Sequence, residues 1–245
     1  GDIRAPQEIG ENWDSKMCGI CGFVGSEDLA LTKSMTQVLW HRGPDDQGYY
    51  CDGLINLGFR RLSIIDIEKG HQPMTNSAKD VVVMLNGEIY NYKELRKELI
   101  DAGTKFQTNS DTEVLLHLYE REGITFLSRL VGMYAIVIYD RKDRKVYLIA
   151  DRFLKKPLYY WTGESSTQLV FGSEIKALLK HPVVSKSINY QALHHYLSFK
   201  HIPKPLTIYQ GVSSLEPAEI VTFDLDSKKI MSPRSQNVYW LHVQM

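Results

Sequence analysis

Cysteine is scarce in this chain of 245 residues. Three thiols, at Cys18, Cys21 and Cys51, cannot make the disulfide framework of a small secreted domain, and they predict a reducing, cytoplasmic setting. Net charge is missing as well. Lys and Arg together number 29 and so do Asp and Glu, so no basic field is present to attract nucleic acid. No apolar run reaches the length of a membrane span, which argues against a membrane partner. Residues 1–17, GDIRAPQEIGENWDSKM, lack the apolar core of a secretory signal. Repeats and low-complexity tracts are absent too. What remains is 43% hydrophobic and 24% charged, the balance of a soluble globular chain with room for one large domain or two small ones.

Strand and helix patterns alternate along it. CGICGFVG is short and apolar, as a strand would be, and EDLALTKSMTQVLWHRG sets Leu31, Met35, Val38 and Leu39 on one helical face. GYYCDGLINLGFRRLSIID predicts two strands around an Asp52-Gly53 turn. VVVML reads as a buried strand. Asn91 can cap a helix over YKELRKELIDAG with Glu94 as its box partner, and Ser110 with Glu113 repeats the device before VLLHLYEREG. MYAIVIYDRKDRKVYLIAD and AEIVTFDLDSKKIM predict hairpins, PLYYW and QLVFGS two further strands, and SEIKALLKH and NYQALHHYLSF short helices. Strands joined mostly by hairpins favour antiparallel sheets, and the intervening helices make a layered sandwich the natural architecture.

Three stretches carry chemistry. Cys18 follows Met17 in DSKMCGICGF. It can be a buried thiol, half of a Cys-x-x-Cys pair with Cys21, or a nucleophile. Zinc wants four ligands and only Cys51 is left to add, while a thioredoxin-type pair would open a helix where this stretch looks extended. As the first residue of a cut chain, Cys18 would own a free α-amine with a reference pKa near ~8, a base beside its own thiol. LNGEIYN offers Asn86 and Gly87 as two donors to one oxygen, although Asn-Gly is also the commonest hairpin turn. Arg61 can grip a carboxylate and Asp111 an ammonium. Their plainer readings are a solvated strand residue and a partner of a helix dipole. In HRGPDD, loop punctuation explains the polar residues better than a metal site does.

The combination of MCGICGFVG, HRGPDDQG, RRLSIIDIEKGHQPM, LNGEIYNYKELR, SDTEVLLHLYEREG, GMYAIVIYD and SEIKALLKHP resembles the glutaminase domain of glutamine-hydrolysing asparagine synthetases, a class II, N-terminal-nucleophile amidotransferase. The resemblance runs from Met17 to Tyr239-Trp240. It implies an α+β fold, a four-layer αββα sandwich of two antiparallel sheets. By matching positions, Cys18 would be nucleophile and, through its amine, base. Asn86 and Gly87 would form the oxyanion hole, Arg61 would hold the glutamine carboxylate and Asp111 its ammonium. Ile64, Ile65 and Glu88 would line the pocket, and Arg42 would support the loop beside the nucleophile. No metal or cofactor is implied for this domain; ATP and magnesium belong to the family's synthetase domain, which would receive the ammonia. A homodimer is one assembly the resemblance allows. In DRFLKKPLYY the sequence departs from the family, with Leu154 and Lys155 where a glycine and an apolar residue are usual.

Residues 1–17 are expected to be an extension (a tag, a propeptide or an upstream remnant), 18–230 the glutaminase domain, and 231–245 a tail where a linker to a synthetase domain would begin. While the extension stays attached, the Cys18 nitrogen is an amide and no base. Two other readings stand beside the enzyme. One is a glutaminase fold that only binds; the other is an amidotransferase half serving a sugar or another acceptor.

Overall fold

Alternation along the strands decides the layering. The computed structural model describes residues 17–62, 70–163 and 167–231. In the strand Val81–Ile89, Val81, Val83 and Leu85 face one apolar cluster, whereas Val82 and Met84 face another. Side chains of successive strand residues point to opposite faces, so one strand serves two cores. The same phase holds in Gly132–Asp140, where Tyr134, Ile136 and Ile138 go one way and Ala135, Val137 and Tyr139 the other.

In chain order the strands are β1 (Gly19–Val24), β2 (Asp46–Cys51), β3 (Ile55–Arg61), β4 (Met74–Thr75), β5 (Val81–Ile89), β6 (Gly132–Asp140), β7 (Lys145–Ala150), β8 (Tyr159–Trp161), β9 (Val170–Gly172), β10 (Val212–Ser214), β11 (Ile220–Asp224) and β12 (Lys229–Met231). They form two six-stranded sheets, ordered β10-β8-β9-β1-β3-β2 and β12-β11-β7-β6-β5-β4. Every named strand pairing is antiparallel. The helices are α1 (Leu29–Gln37), α2 (Tyr92–Asp101), α3 (Asp111–Glu122), α4 (Ile175–Leu178) and α5 (Tyr190–Phe199), with a 3-10 turn over Gly123–Arg129.

Three apolar clusters separate the layers. Ile20, Leu57, Phe59, Val82, Met84, Val137 and Leu148 fill the space between the sheets. Leu95, Leu99, Val114, Leu115 and Leu118 of α2 and α3 cover the outer face of the second sheet. Met35 and Leu39, in α1 and just after it, with Ala177 and Leu178 of α4, cover the outer face of the first. The order is helix, sheet, sheet, helix, the sandwich expected. Each fully buried Leu, Ile or Phe contributes roughly 1.5–3 kcal/mol against exposure, so the central layer is the main source of stability.

The local devices differ in part from those expected. Ser110 caps α3, its Oγ accepting from Thr112 N at 3.1 Å. Its predicted box partner Glu113 turns instead to the preceding loop, accepting from Gln107 N and Thr108 N, both at 2.7 Å. Asn91 occupies the cap position of α2 without a side-chain cap bond. Its amide donates to Arg129 O at 2.9 Å and its Oδ1 accepts from Val131 N at 3.0 Å, so it ties α2 to the segment entering β6. The Asp52-Gly53 turn is as expected: Asp52 Oδ1 accepts from Leu54 N and Ile55 N, and Gly53 takes φ +81°. Among the described residues no helix is long and apolar enough to cross a membrane.

Candidate active site

The phase that builds the central core also carries polar residues into it. Ile55, Leu57 and Phe59 face inward from β3, and Arg61 is the next residue of that face. Asn86 and Glu88 follow Val82 and Met84 along β5. Cys18 precedes Ile20 by two and packs against the same cluster. Gly19 lies opposite Arg60 in the β1–β3 ladder, which sets Cys18 and Arg61 at one end of the first sheet.

Asn86 is fully buried, and neither its Nδ2 nor its Oδ1 has a partner among the described residues. A buried unsatisfied amide costs roughly 1–3 kcal/mol, which a ligand that engages it can return. Asn86-Gly87 is not a hairpin turn: it sits inside β5, opposite Ala135 and Tyr134 of β6. Gly87 has φ +148°, and a Cβ there would stand 2.0 Å from Met133 O, so only glycine fits. Gln72 braces the neighbouring edge, its Oε1 accepting from Leu85 N at 2.6 Å.

The Cys18 thiol sits over the backbone of Leu62, its Sγ 3.4 Å from Leu62 N and 3.7 Å from Leu62 O. Burial pushes its pKa up; the Leu62 backbone, Arg61 and Arg42 pull it back, and Asp111 adds to the rise. Arg61, Arg42 and Asp111 are thus all within electrostatic reach of one sulfur. Asp111, the first residue of α3, is buried, with Oδ2 accepting from Ile89 N at 3.2 Å. Burial raises its pKa, and Glu88 adds to the rise. Arg61 is 4% exposed, so it is no solvated strand residue. Ile64 and Ile65 lie outside the described residues.

Cys21 goes the other way. It faces α1, its Sγ 3.3 Å from Thr36 Oγ1, and burial lifts its pKa to about 12. Cys18, just before β1, packs on the central cluster and Cys21, within β1, on the outer one, so the two do not form a redox pair. Among the described residues no three His, Cys, Asp or Glu side chains are grouped to hold a metal ion.

The glutamine amidotransferase domain family matches residues 17–240. The chain belongs to this family. It is 43% identical over 182 residues to asparagine synthetase [glutamine-hydrolyzing] 2 of Bacillus subtilis, an alignment covering 71% of this chain and 24% of that protein. To asparagine synthetase [glutamine-hydrolyzing] 1 of the same organism it is 41% identical over 220 residues, covering 86% and 34%. This amidotransferase domain therefore spans about a quarter to a third of the length of those relatives. In fold it is similar to the allosteric regulatory enzyme of purine biosynthesis (TM-score 0.61, 22% identity, 84% of this chain and 47% of that one). Glutamine phosphoribosylpyrophosphate amidotransferase of B. subtilis gives TM-score 0.60 and 23% identity over 89% of this chain and 49% of that one.

Sequence reasoning passed over two charged residues of the amidotransferase domain, one that the fold brings near Cys18 and one that it brings to Arg42. Lys156 is buried, its Nζ 2.8 Å from Met17 Sδ. Burial and Arg42 lower its pKa, while Glu88, Cys18 and Asp151 oppose the fall. Glu174, at the head of α4, bonds Arg42. Both lie in quoted stretches, DRFLKKPLYY and SEIKALLKHP, but a lysine beside a proline and a glutamate before a helix carry the ordinary pattern of surface residues. In that first stretch Leu154 has φ +51° and its side chain is buried in the central cluster. The loop is held by Asp151, which accepts from Phe153 N, Lys155 N and Tyr134 N.

Proposed function

We propose that this domain hydrolyses L-glutamine to glutamate and ammonia, with Cys18 as nucleophile once its nitrogen is a free amine. The observation that carries the reading is the Asn86 amide, fully buried without a partner among the described residues, on the β5 face that turns to the layer between the sheets against which Cys18 packs. In this reading the amine takes the thiol proton as Sγ attacks the side-chain amide carbon. Asn86 and the Gly87 N–H stabilise the oxyanion. The amine passes its proton to the departing nitrogen, and ammonia leaves a γ-glutamyl thioester. Water, deprotonated by the amine, then releases glutamate and returns the proton to sulfur. Arg61 holds the substrate carboxylate, Asp111 the ammonium, and Ile64, Ile65 and Glu88 line the pocket.

The chemistry calls for no cofactor in this domain. The relatives' names suggest that the ammonia feeds a synthetase unit making asparagine, and ATP and magnesium would belong to that unit. A cytoplasmic setting suits three free thiols. Glutamate release is the test, using the chain from Gly1 and a version starting at Cys18, with intact mass confirming each N-terminus. The Cys18 version is expected to be faster by about a hundred- to ten-thousandfold, the value of general-base help. Equal rates refute the mechanism.

A further inference from the structure

We infer that the Ser173-Glu174 pair is a positioning device for the nucleophile, acting on Cys18 through Arg42. The inference rests on the function proposed above. Arg42 is 5% exposed and grips the chain on both sides of the Met17–Cys18 peptide. Its backbone carbonyl accepts from Met17 N at 2.9 Å, and its Nε donates to Cys18 O at 3.0 Å. When Cys18 becomes the first residue the Met17 contact is lost, and the Nε bond remains to fix the Cys18 carbonyl. That carbonyl sets the backbone rotation of Cys18, and with it where the amine stands relative to the thiol.

What holds the guanidinium is Glu174. Its Oε1 accepts from Arg42 Nη1 at 3.0 Å and lies 2.8 Å from His41 Nε2, and its Oε2 is 2.9 Å from Lys176 Nζ. Burial alone would raise the Glu174 pKa, but these three partners hold it down at about 2. The preceding residue is fixed to β1 itself. Ser173 Oγ accepts from Ile20 N at 3.0 Å, and Ser173 N donates to Ile20 O at 2.8 Å. Neighbouring residues thus pin the chain at Ile20 directly and at Cys18 through one arginine. The segment from Cys18 to Ile20 is held from the side of α4.

The experiment uses the chain beginning at Cys18. Glu174→Ala is expected to lower kcat for glutamine about tenfold or more with KM unchanged, because the loss is one of orientation. It leaves the Arg42 charge uncompensated, which disfavours the ammonium, so the acid limb of the kcat profile moves to lower pH. Glu174→Gln keeps an acceptor oxygen for Arg42; it is expected to recover most of kcat while showing the same pH shift. Amide exchange over residues 18–20 is measured in parallel, and should quicken in Glu174→Ala but not in Glu174→Gln. A raised KM with kcat kept, or exchange unchanged in Glu174→Ala, overturns the inference. If the unmutated Cys18 chain hydrolyses no glutamine, the proposed function fails, and the exchange data still decide the positioning role.

Discussion

Cys18 and Cys21 are three residues apart, and the fold treats them as opposites. Cys21 points outward to α1, against Thr36 and Gly58, where burial is hardly opposed and its pKa climbs to about 12. Cys18 points into the gap between the sheets, where burial raises its pKa but Leu62, Arg61 and Arg42 pull against it. The residue type is the same, and Cys18 stands just before the strand that holds Cys21; the neighbouring charges make the difference. On the proposed function, it is the face toward the gap between the sheets that suits Cys18 to be the nucleophile.

The strongest challenge to that contrast is alanine at each cysteine. In the chain starting at Cys18, Cys18→Ala should abolish glutamate release, and Cys21→Ala should keep most of it. The reverse result moves the chemistry to the helix side. Next is the oxyanion partner. Asn86→Ala should lower kcat roughly a hundredfold with KM little changed, since the donor acts on charge that develops in the transition state. An effect confined to KM makes Asn86 a binding residue.

Arg61→Ala and Asp111→Ala should each weaken glutamine binding by about 2 kcal/mol, the worth of a charged hydrogen bond. Unchanged KM in both removes Arg61 and Asp111 from glutamine binding. A pH test follows. Glu174 is held at about 2, below the ordinary carboxylate value of ~4.3. Its contribution to stability is therefore complete above that ordinary value and is lost as pH falls through about 2. Urea midpoints across this window should fall more steeply in the unmutated protein than in Glu174→Ala; equal slopes detach Glu174 from Arg42. The smallest effect concerns Leu154. Leu154→Gly relieves a left-handed leucine, worth about 1–2 kcal/mol, but forfeits its burial and leaves a cavity, about 2–5 kcal/mol. A small net drop in Tm is expected, and a rise would show that strain outweighs packing there.

Much of this was written in local pattern. The hairpins of β2–β3, β6–β7 and β11–β12 announced themselves through alternation and turn residues, because both signals are short-range. β4 and β10 are two and three residues long, too short to show a period. The resemblance placed Cys18, Arg61, Asn86 and Asp111, and the strand phases put three of these four on inner faces. Asn86-Gly87 was ambiguous because the glycine conformation that makes a turn also serves a bend inside a strand. Asn91 and Glu113 kept their capping positions but found stronger partners in loops brought near only by the fold. Glu174 was invisible as a positioning residue for the same reason: its partner is 132 residues away.

The phase of β5 has a consequence for how this protein can change. The residues that fill the central layer and the one proposed to meet the oxyanion are written on one ruler, two residues per mark. Adding or deleting a single residue within VVVML would put the two sides of the change half a mark out of step, so that if Val81 keeps its face Asn86 turns toward the helices and Leu85 into the gap between the sheets. Packing and chemistry would be lost together. Change by substitution stays open at the apolar positions of β5, Val81 to Leu85, while change by length is confined to the turns, where the count starts again.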